Sequence, residues 1–188
     1  LDSSYDVVDR GRRKKDKPKI TNKDIPKKYP TGTELTVQVT KGPIGTKGPR
    51  VTTNVLLPGR YLVLLPNSEQ SGVSRKIENR EERTRLKKIV RELNIPDRMG
   101  VIIRTAGVGR STEELQWDLD FLLQLWKAIE SATKNADTPF LMYQESNLIV
   151  RAIRDYLRGD IQEILIDQSD IYERARKFME QVMPHNVA

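Results

Sequence analysis

The sequence predicts an α+β protein in which a small antiparallel β unit, resembling the end of a barrel, leads into a longer α/β layer. Three observations carry that prediction. The run TELTVQVTK (33–41) alternates apolar and polar residues, and a second apolar run follows it after a loop dense in Gly and Pro. Two later segments carry apolar residues at helical spacing, one on each side of the strand-like run MGVIIRT (99–105). Beyond them the pattern again alternates strand-like and helical runs at the spacing of an α/β layer.

Taken in order, the first thirty residues are rich in Lys, Arg and Pro and have neither period. They read as an exposed, mobile basic segment, within which GRRKKDKPK (11–19) is either a solvated loop or a contact for a phosphate backbone. Leu35, Val37 and Val39 then mark a half-buried strand. GPIGTKGPR (42–50) is a loop carrying Lys47, and VTTNVLL (51–57) and GRYLVLLPN (59–67) are strands flanking a turn at Pro58 and Gly59. Residues 74–97 read as a charged surface helix whose apolar stripe is Leu86, Ile89, Val90 and Leu93, closed by Pro96 and Asp97.

MGVIIRT is a buried strand, and the helix after it stacks Leu115, Leu119, Leu122, Trp126 and Ile129 into one seam, with Trp126 a core residue. PFLMYQES (139–146) reads as a strand and NLIVRAIRDYL (147–157) as a helix burying Ile149, Ile153 and Tyr156 or their neighbours. IQEILID (161–167) reads as a strand and SDIYERARKFMEQVM (169–183) as a helix capped by Ser169 or Asp170.

Composition narrows the chemistry. The 188 residues contain no cysteine and only His185, which excludes disulfides and thiolate metal sites and leaves no histidine triad. A formal charge of +7 makes polyanions the first partners to consider. No apolar run reaches the roughly 18–20 residues of a membrane helix, and the first residues lack an apolar signal core, so the expected location is cytoplasmic.

The turn RTAGVGRST (104–112) joins a strand to a helix, an arrangement that aims backbone N–H groups at one spot and favours an anion. Gly107 and Gly109 permit close approach or positive φ, and Ser111 or Thr112 caps the helix, with Glu114 placed for a capping box. Arg104 adds a guanidinium fork and Thr105 a hydroxyl, a pair suited to the oxygens of one terminal phosphate. The same residues are also compatible with a plain turn. A nucleotide-binding P-loop fails at two of its four defining positions. The acids of ENREER and STEELQWDLD, including Asp118 and Asp120, read as solvated helix faces, and nothing supports a metal pair among Asp155, Asp160 and Asp167. No catalytic or metal-ligating residue is assigned.

GRYLVLLPN, GVSRKIE (72–78), MGVIIRTAGVGRSTEELQWDL (99–119) and QESNLIVRAIRDYLRGDIQEILID (144–167) together resemble the ribonuclease E/G family of bacterial endoribonucleases, from about Gly32 to about Met183. The resemblance implies three parts. Residues 1–53 would hold the basic loop and the second half of an OB-fold RNA-binding domain, 54–146 a 5′-sensor domain, and 147–188 the start of an RNase H-like domain. It further implies that Arg104 and Thr105 hold an RNA 5′-monophosphate, that Gly59 and Val63 shape the pocket and meet the terminal base, that Arg75 lies beside it, and that Lys47 contacts RNA. The family's Mg²⁺-binding aspartates and its zinc-sharing cysteine pair would fall outside this chain. The chain is therefore expected to be a fragment that binds single-stranded RNA without cutting it, from a parent that forms homo-oligomers. The stretch before Thr31 shows none of the aromatic-bearing first strands that the resemblance implies for an OB-fold domain, and its Lys-rich loop departs from the family pattern. The alternative function is a non-catalytic RNA-binding or scaffold module.

Overall fold

The computed structural model describes residues 4–11, 21, 23–133, 137–144, 148–157 and 161–182. The predicted α+β class holds. Elements are numbered in chain order: β1 (Tyr5–Val8), α1 (Ile25–Lys28), β2 (Gln38–Lys41), β3 (Arg50–Thr52), β4 (Leu57–Pro58), β5 (Leu62–Leu65), β6 (Ser71–Ser74), α2 (Arg80–Glu92), β7 (Gly100–Ile103), α3 (Thr112–Ala132), α4 (Leu148–Tyr156) and α5 (Ser169–Val182). Five strands form a mixed sheet in the order β1-β6-β7-β5-β4, parallel only between β6 and β7, while β2 and β3 form a separate antiparallel pair.

The parallel pair follows from the helix between its strands. Asn79 caps α2 by accepting from the Glu82 N–H at 2.9 Å, and the Leu86, Ile89 and Val90 stripe lays the helix on the sheet. The predicted capping box opens α3: Ser111 accepts from the Glu114 N–H at 3.2 Å, and the Glu114 carboxylate accepts from the Ser111 N–H at 2.9 Å. Leu62, Leu64, Val73, Val101 and Ile103 of the sheet meet Leu86 and Val90 of α2 and Leu115, Leu119 and Leu122 of α3, all at 0% exposure. Each such side chain contributes about 1.5–3 kcal/mol by leaving water. Trp126 and Ile129 extend the same core, as the seam predicts.

Several expectations need correction. Part of the basic leader is β1, an edge strand antiparallel to β6, with Tyr5 and Val8 buried. Four residues are too few to show a period, so the cations around them mask the strand. The Tyr5 ring covers Gly72, where a Cβ would come within 2.3 Å of the ring, and its hydroxyl donates to Gln70 at 2.8 Å. On the other face of β1, Asp6 pairs with Arg75, Arg83 and Lys87. Most of the basic stretch 11–19 lies outside the described residues.

Leu35, Val37 and Val39 are exposed rather than half-buried, because the β2–β3 pair has no layer against it among the described residues. VTTNVLL is not one strand: it bends at Thr53 and Asn54, giving β3 to one sheet and β4 to the other. The charged helix starts only at Arg80, since Ser71–Ser74 is β6.

Neither late strand forms in the described parts of PFLMYQES (139–144) and IQEILID (161–167); residues 145 and 146 lie outside the description. An apolar run becomes a strand only beside a partner that completes its hydrogen bonds, and no described segment is paired with either. α4 buries Val150 and Ile153 and leaves Tyr156 71% exposed, because its inward stripe faces Ala175 and Phe178 of α5. α5 already includes the expected caps, Ser169 and Asp170.

Tyr5→Ala should lower the stability of this chain by about 3 kcal/mol through the cavity left over Gly72. Urea denaturation measures it, and an unchanged midpoint would show that β1 contributes nothing to the sheet.

Candidate functional site

Register brings separate parts of the chain to one end of the sheet. Leu62 opens β5 opposite Ile103, the last residue of β7, and parallel β6 places Val73 beside the same Ile103. The β4–β5 turn, the residues after β6 and the segment 104–109 therefore emerge together. Of the predicted site residues, Gly59, Arg104 and Thr105 lie at this end, and Val63 lies one residue inside it on β5. Arg75 follows β6 at the same end but is held by Asp6, with Nε 3.1 Å from Oδ1. Lys47 is not part of the assembly; it is exposed and bridged to Ile44 in the β2–β3 hairpin.

Arg104 is built into the β4–β5 turn. Its N–H donates to the Tyr61 carbonyl at 2.8 Å, and Nη1 donates to the carbonyls of Gly59 at 2.6 Å and Arg60 at 3.4 Å. On the opposite side of the same turn lies Asp118 of α3, 4% exposed. Its Oδ1 accepts from the Arg60 N–H at 3.0 Å, and its Oδ2 accepts from the N–H groups of Tyr61 at 2.8 Å and Leu62 at 3.0 Å. The N–H of one residue and the C=O of the residue before it belong to a single planar unit and point in opposite directions. Three successive peptide units thus lie between Asp118 and Arg104, each presenting hydrogen to the carboxylate and oxygen to the arginine.

Gly59 makes this approach possible. A Cβ there would lie 2.6 Å from Asp118 Oδ2 and 2.8 Å from Oδ1. Burial raises the Asp118 carboxyl above its ordinary range, a rise that the three N–H groups and the charge of Arg104 only partly offset.

α4 closes the other side of the turn. Arg104 Nη2 donates to Asp155 Oδ1 at 3.0 Å, Arg154 Nη1 to the Pro58 carbonyl at 3.3 Å, and Arg60 Nη2 to the Leu157 carbonyl at 2.8 Å. Arg154 also pairs with Asp155 through Nε at 3.2 Å. Although partial burial opposes it, hydrogen bonding to the two arginines holds the Asp155 carboxyl below its ordinary range. Two guanidinium groups approach the Tyr61 ring, that of Arg60 at 5.0 Å and that of Arg110 at 5.1 Å from its centre.

Next to Thr105 an open groove of about 450 Å³ is lined by Lys76, Ile77, Glu78, Asn79, Glu82, Val108 and Gly109. Most N–H groups that the turn was expected to offer an anion are already used: Gly107 donates to Arg104, Val108 to Thr105, Arg110 to Gly107, and Gly109 to Glu82 Oε1 at 2.8 Å. Among the described residues no acceptor takes the N–H of Thr105 or Ala106, or the Thr105 hydroxyl. Glu82 also takes a bidentate contact from Arg85, at 2.8 Å from Nε and 2.6 Å from Nη2. With Gly109 added, this depresses its carboxyl from 4.5 to about 2.

Sequence reasoning missed Asp118, Glu82 and Asp155, which it treated as solvated or unassigned acids. Asp118 had a legible signal, since it falls three residues after Leu115 and four before Leu122, on the buried seam itself. Glu82 sits at the third helical position after Asn79, where a carboxylate is suited to face the chain before a helix. For Asp155 the neighbouring Arg154 gives no sign of the second partner, Arg104, which is 51 residues away.

A family model described as "Ribonuclease E/G family" matches residues 56–188. The chain is 54% identical to ribonuclease E of Haemophilus influenzae over 154 residues, covering 81% of this chain and 16% of the relative. It is 52% identical to ribonuclease E of Escherichia coli K12 over 147 residues, or 78% of this chain and 14% of the relative. Ribonuclease G of Salmonella typhimurium is 39% identical over 165 residues, covering 88% of this chain and 34% of the relative. The chain thus spans a minor part of each of these proteins.

Glu82→Gln should destabilise the chain by about 1 kcal/mol near neutral pH, the scale of a partly exposed charged contact. Because folding lowers the Glu82 carboxyl from 4.5 to about 2, its contribution is complete above the unfolded value and fades as pH falls toward 2. Denaturation of the two proteins from pH 7 to pH 2 should show the gap closing over that interval; a constant gap would contradict the assignment.

Proposed function

Because this chain belongs to the ribonuclease E/G family, we propose that its α/β unit recognises the 5′-monophosphate of single-stranded RNA on behalf of an endoribonuclease. The observation that carries this reading is that Arg104, held by the carbonyls of the β4–β5 turn, is followed directly in the chain by Thr105, whose hydroxyl and N–H no described residue takes up. Three bonds to protein acceptors leave part of the guanidinium fork for a ligand. A terminal monophosphate carries about −1.5 to −2 charges and three acceptor oxygens, which gives it more to offer this fork than the single charge of Asp155. A 5′-hydroxyl brings no charge to the fork.

Val63 and Ile102, paired on the half-buried face of the sheet, offer an apolar surface for the terminal base. Gly59 contributes its carbonyl to the arginine and its missing side chain to the turn. Arg75 would add charge at the rim once freed from Asp6, and Lys47 would contact RNA from the β2–β3 hairpin, read as the end of an OB-fold domain. In the parent enzyme, a homo-oligomer working in the cytoplasm, the hydrolytic step belongs to Mg²⁺-holding carboxylates outside residues 1–188. Zinc, if the parent holds it, also binds outside them. This chain alone then binds RNA without cleaving it.

One short RNA with either a 5′-monophosphate or a 5′-hydroxyl, titrated at fixed salt, tests the reading. The monophosphate should bind about tenfold more tightly, and Arg104→Ala should erase the difference, in line with losing a charged hydrogen bond. Equal binding of both RNAs by the wild-type chain would refute the sensor.

A further inference from the structure

We propose that Asp118 is the positioning residue of this sensor, fixing Arg104 through the three peptide units between them although the two side chains do not touch. The inference rests on the 5′-end reading above and adds a residue that this reading leaves out. Its basis is the directionality of the peptide group. Accepting the Arg60 N–H turns the Gly59 carbonyl toward Arg104, accepting the Tyr61 N–H turns the Arg60 carbonyl the same way, and accepting the Leu62 N–H turns the Tyr61 carbonyl to the Arg104 main chain. All three carbonyls that anchor Arg104 are therefore oriented by one carboxylate.

The residue type is as telling as the contacts. A buried carboxylate is costly unless it is satisfied by donors, and core positions on α3 otherwise carry Leu, Trp and Ile. Three convergent N–H donors call for two acceptor oxygens and no competing hydrogen, which ionised Asp supplies and Asn does not. The negative end of this arrangement is Asp118, the positive end is Arg104, and the intervening peptide dipoles are aligned between them. Fixing the turn also fixes the guanidinium before ligand arrives, so phosphate binding is spared the cost of ordering it.

The test is the same pair of RNAs at fixed salt with wild type, Arg104→Ala, Asp118→Asn and the double variant, each first shown to be folded at the assay temperature. Asp118→Asn keeps the shape and places an amide N–H₂ against a main-chain N–H. It should reduce the preference for monophosphate about tenfold and leave affinity for the hydroxyl RNA unchanged. In the double variant the affinity for each RNA should equal that of Arg104→Ala, because Asp118 acts only through Arg104. A purely structural role would weaken both RNAs alike and add to the arginine substitution, which would overturn the proposal.

If Asp118→Asn does not fold, Asp118→Ser, which also withdraws the carboxylate from the three N–H groups, takes its place under the same outcomes. If Arg104→Ala erases the preference while the folded Asp118 variant keeps it, the inference fails and the sensor stands. If wild type shows no preference, both fall.

Discussion

A carboxylate in the core and a guanidinium at the rim hold three peptide units between them, and the end of the sheet is organised around that clamp. Neither charge is balanced by direct contact with the other. Asp118 is satisfied by backbone hydrogens, Arg104 by backbone oxygens and Asp155, and the turn itself forms the bridge. The arrangement demands glycine at position 59, requires a polar residue on an otherwise apolar seam, and draws α4 against the turn. Helix, hairpin and connecting segment are thereby made interdependent at the place where phosphate recognition is proposed.

The same economy of charge recurs across the molecule. Asp6 collects three cations, Glu82 holds Arg85 and the Gly109 N–H, and Glu114 both caps α3 and pairs with Arg110. Several arginines of this unit are therefore already engaged by acids and carbonyls of the fold rather than offered freely to a polyanion. What remains distinctive at the end of the sheet is an arginine fixed by its carbonyl partners next to a threonine with donors to spare, a local geometry rather than a diffuse field.

The parts of the structure governed by local rules were legible in the sequence. The apolar stripes of α2 and α3, the Ser111 capping box and the buried β5 and β7 follow from spacing and chain chemistry alone. The parts governed by long-range pairing were not. β1 depends on β6 for its ladder, the runs around Phe140 and Ile164 lack such a ladder, and the exposed apolar residues of β2 have nothing packed on them among the described residues. At the candidate site the family likeness pointed to Arg104 and Thr105. It did not reveal Asp118, whose importance lies in what it does to backbone groups 56 to 58 positions away, and those groups carry no residue-specific signature.

The edge strand has a kinetic consequence. β6, α2 and β7 are consecutive and can assemble from nearby pieces of chain, whereas β1 reaches the sheet only after closing a loop of about 65 residues, the span between Tyr5 and Gln70. It is thus among the last elements to dock and, as a short edge strand, among the first to open in native fluctuations. Each opening releases Asp6 from Arg75, Arg83 and Lys87 together, so the cationic character of this face varies with time and with the state of a four-residue strand.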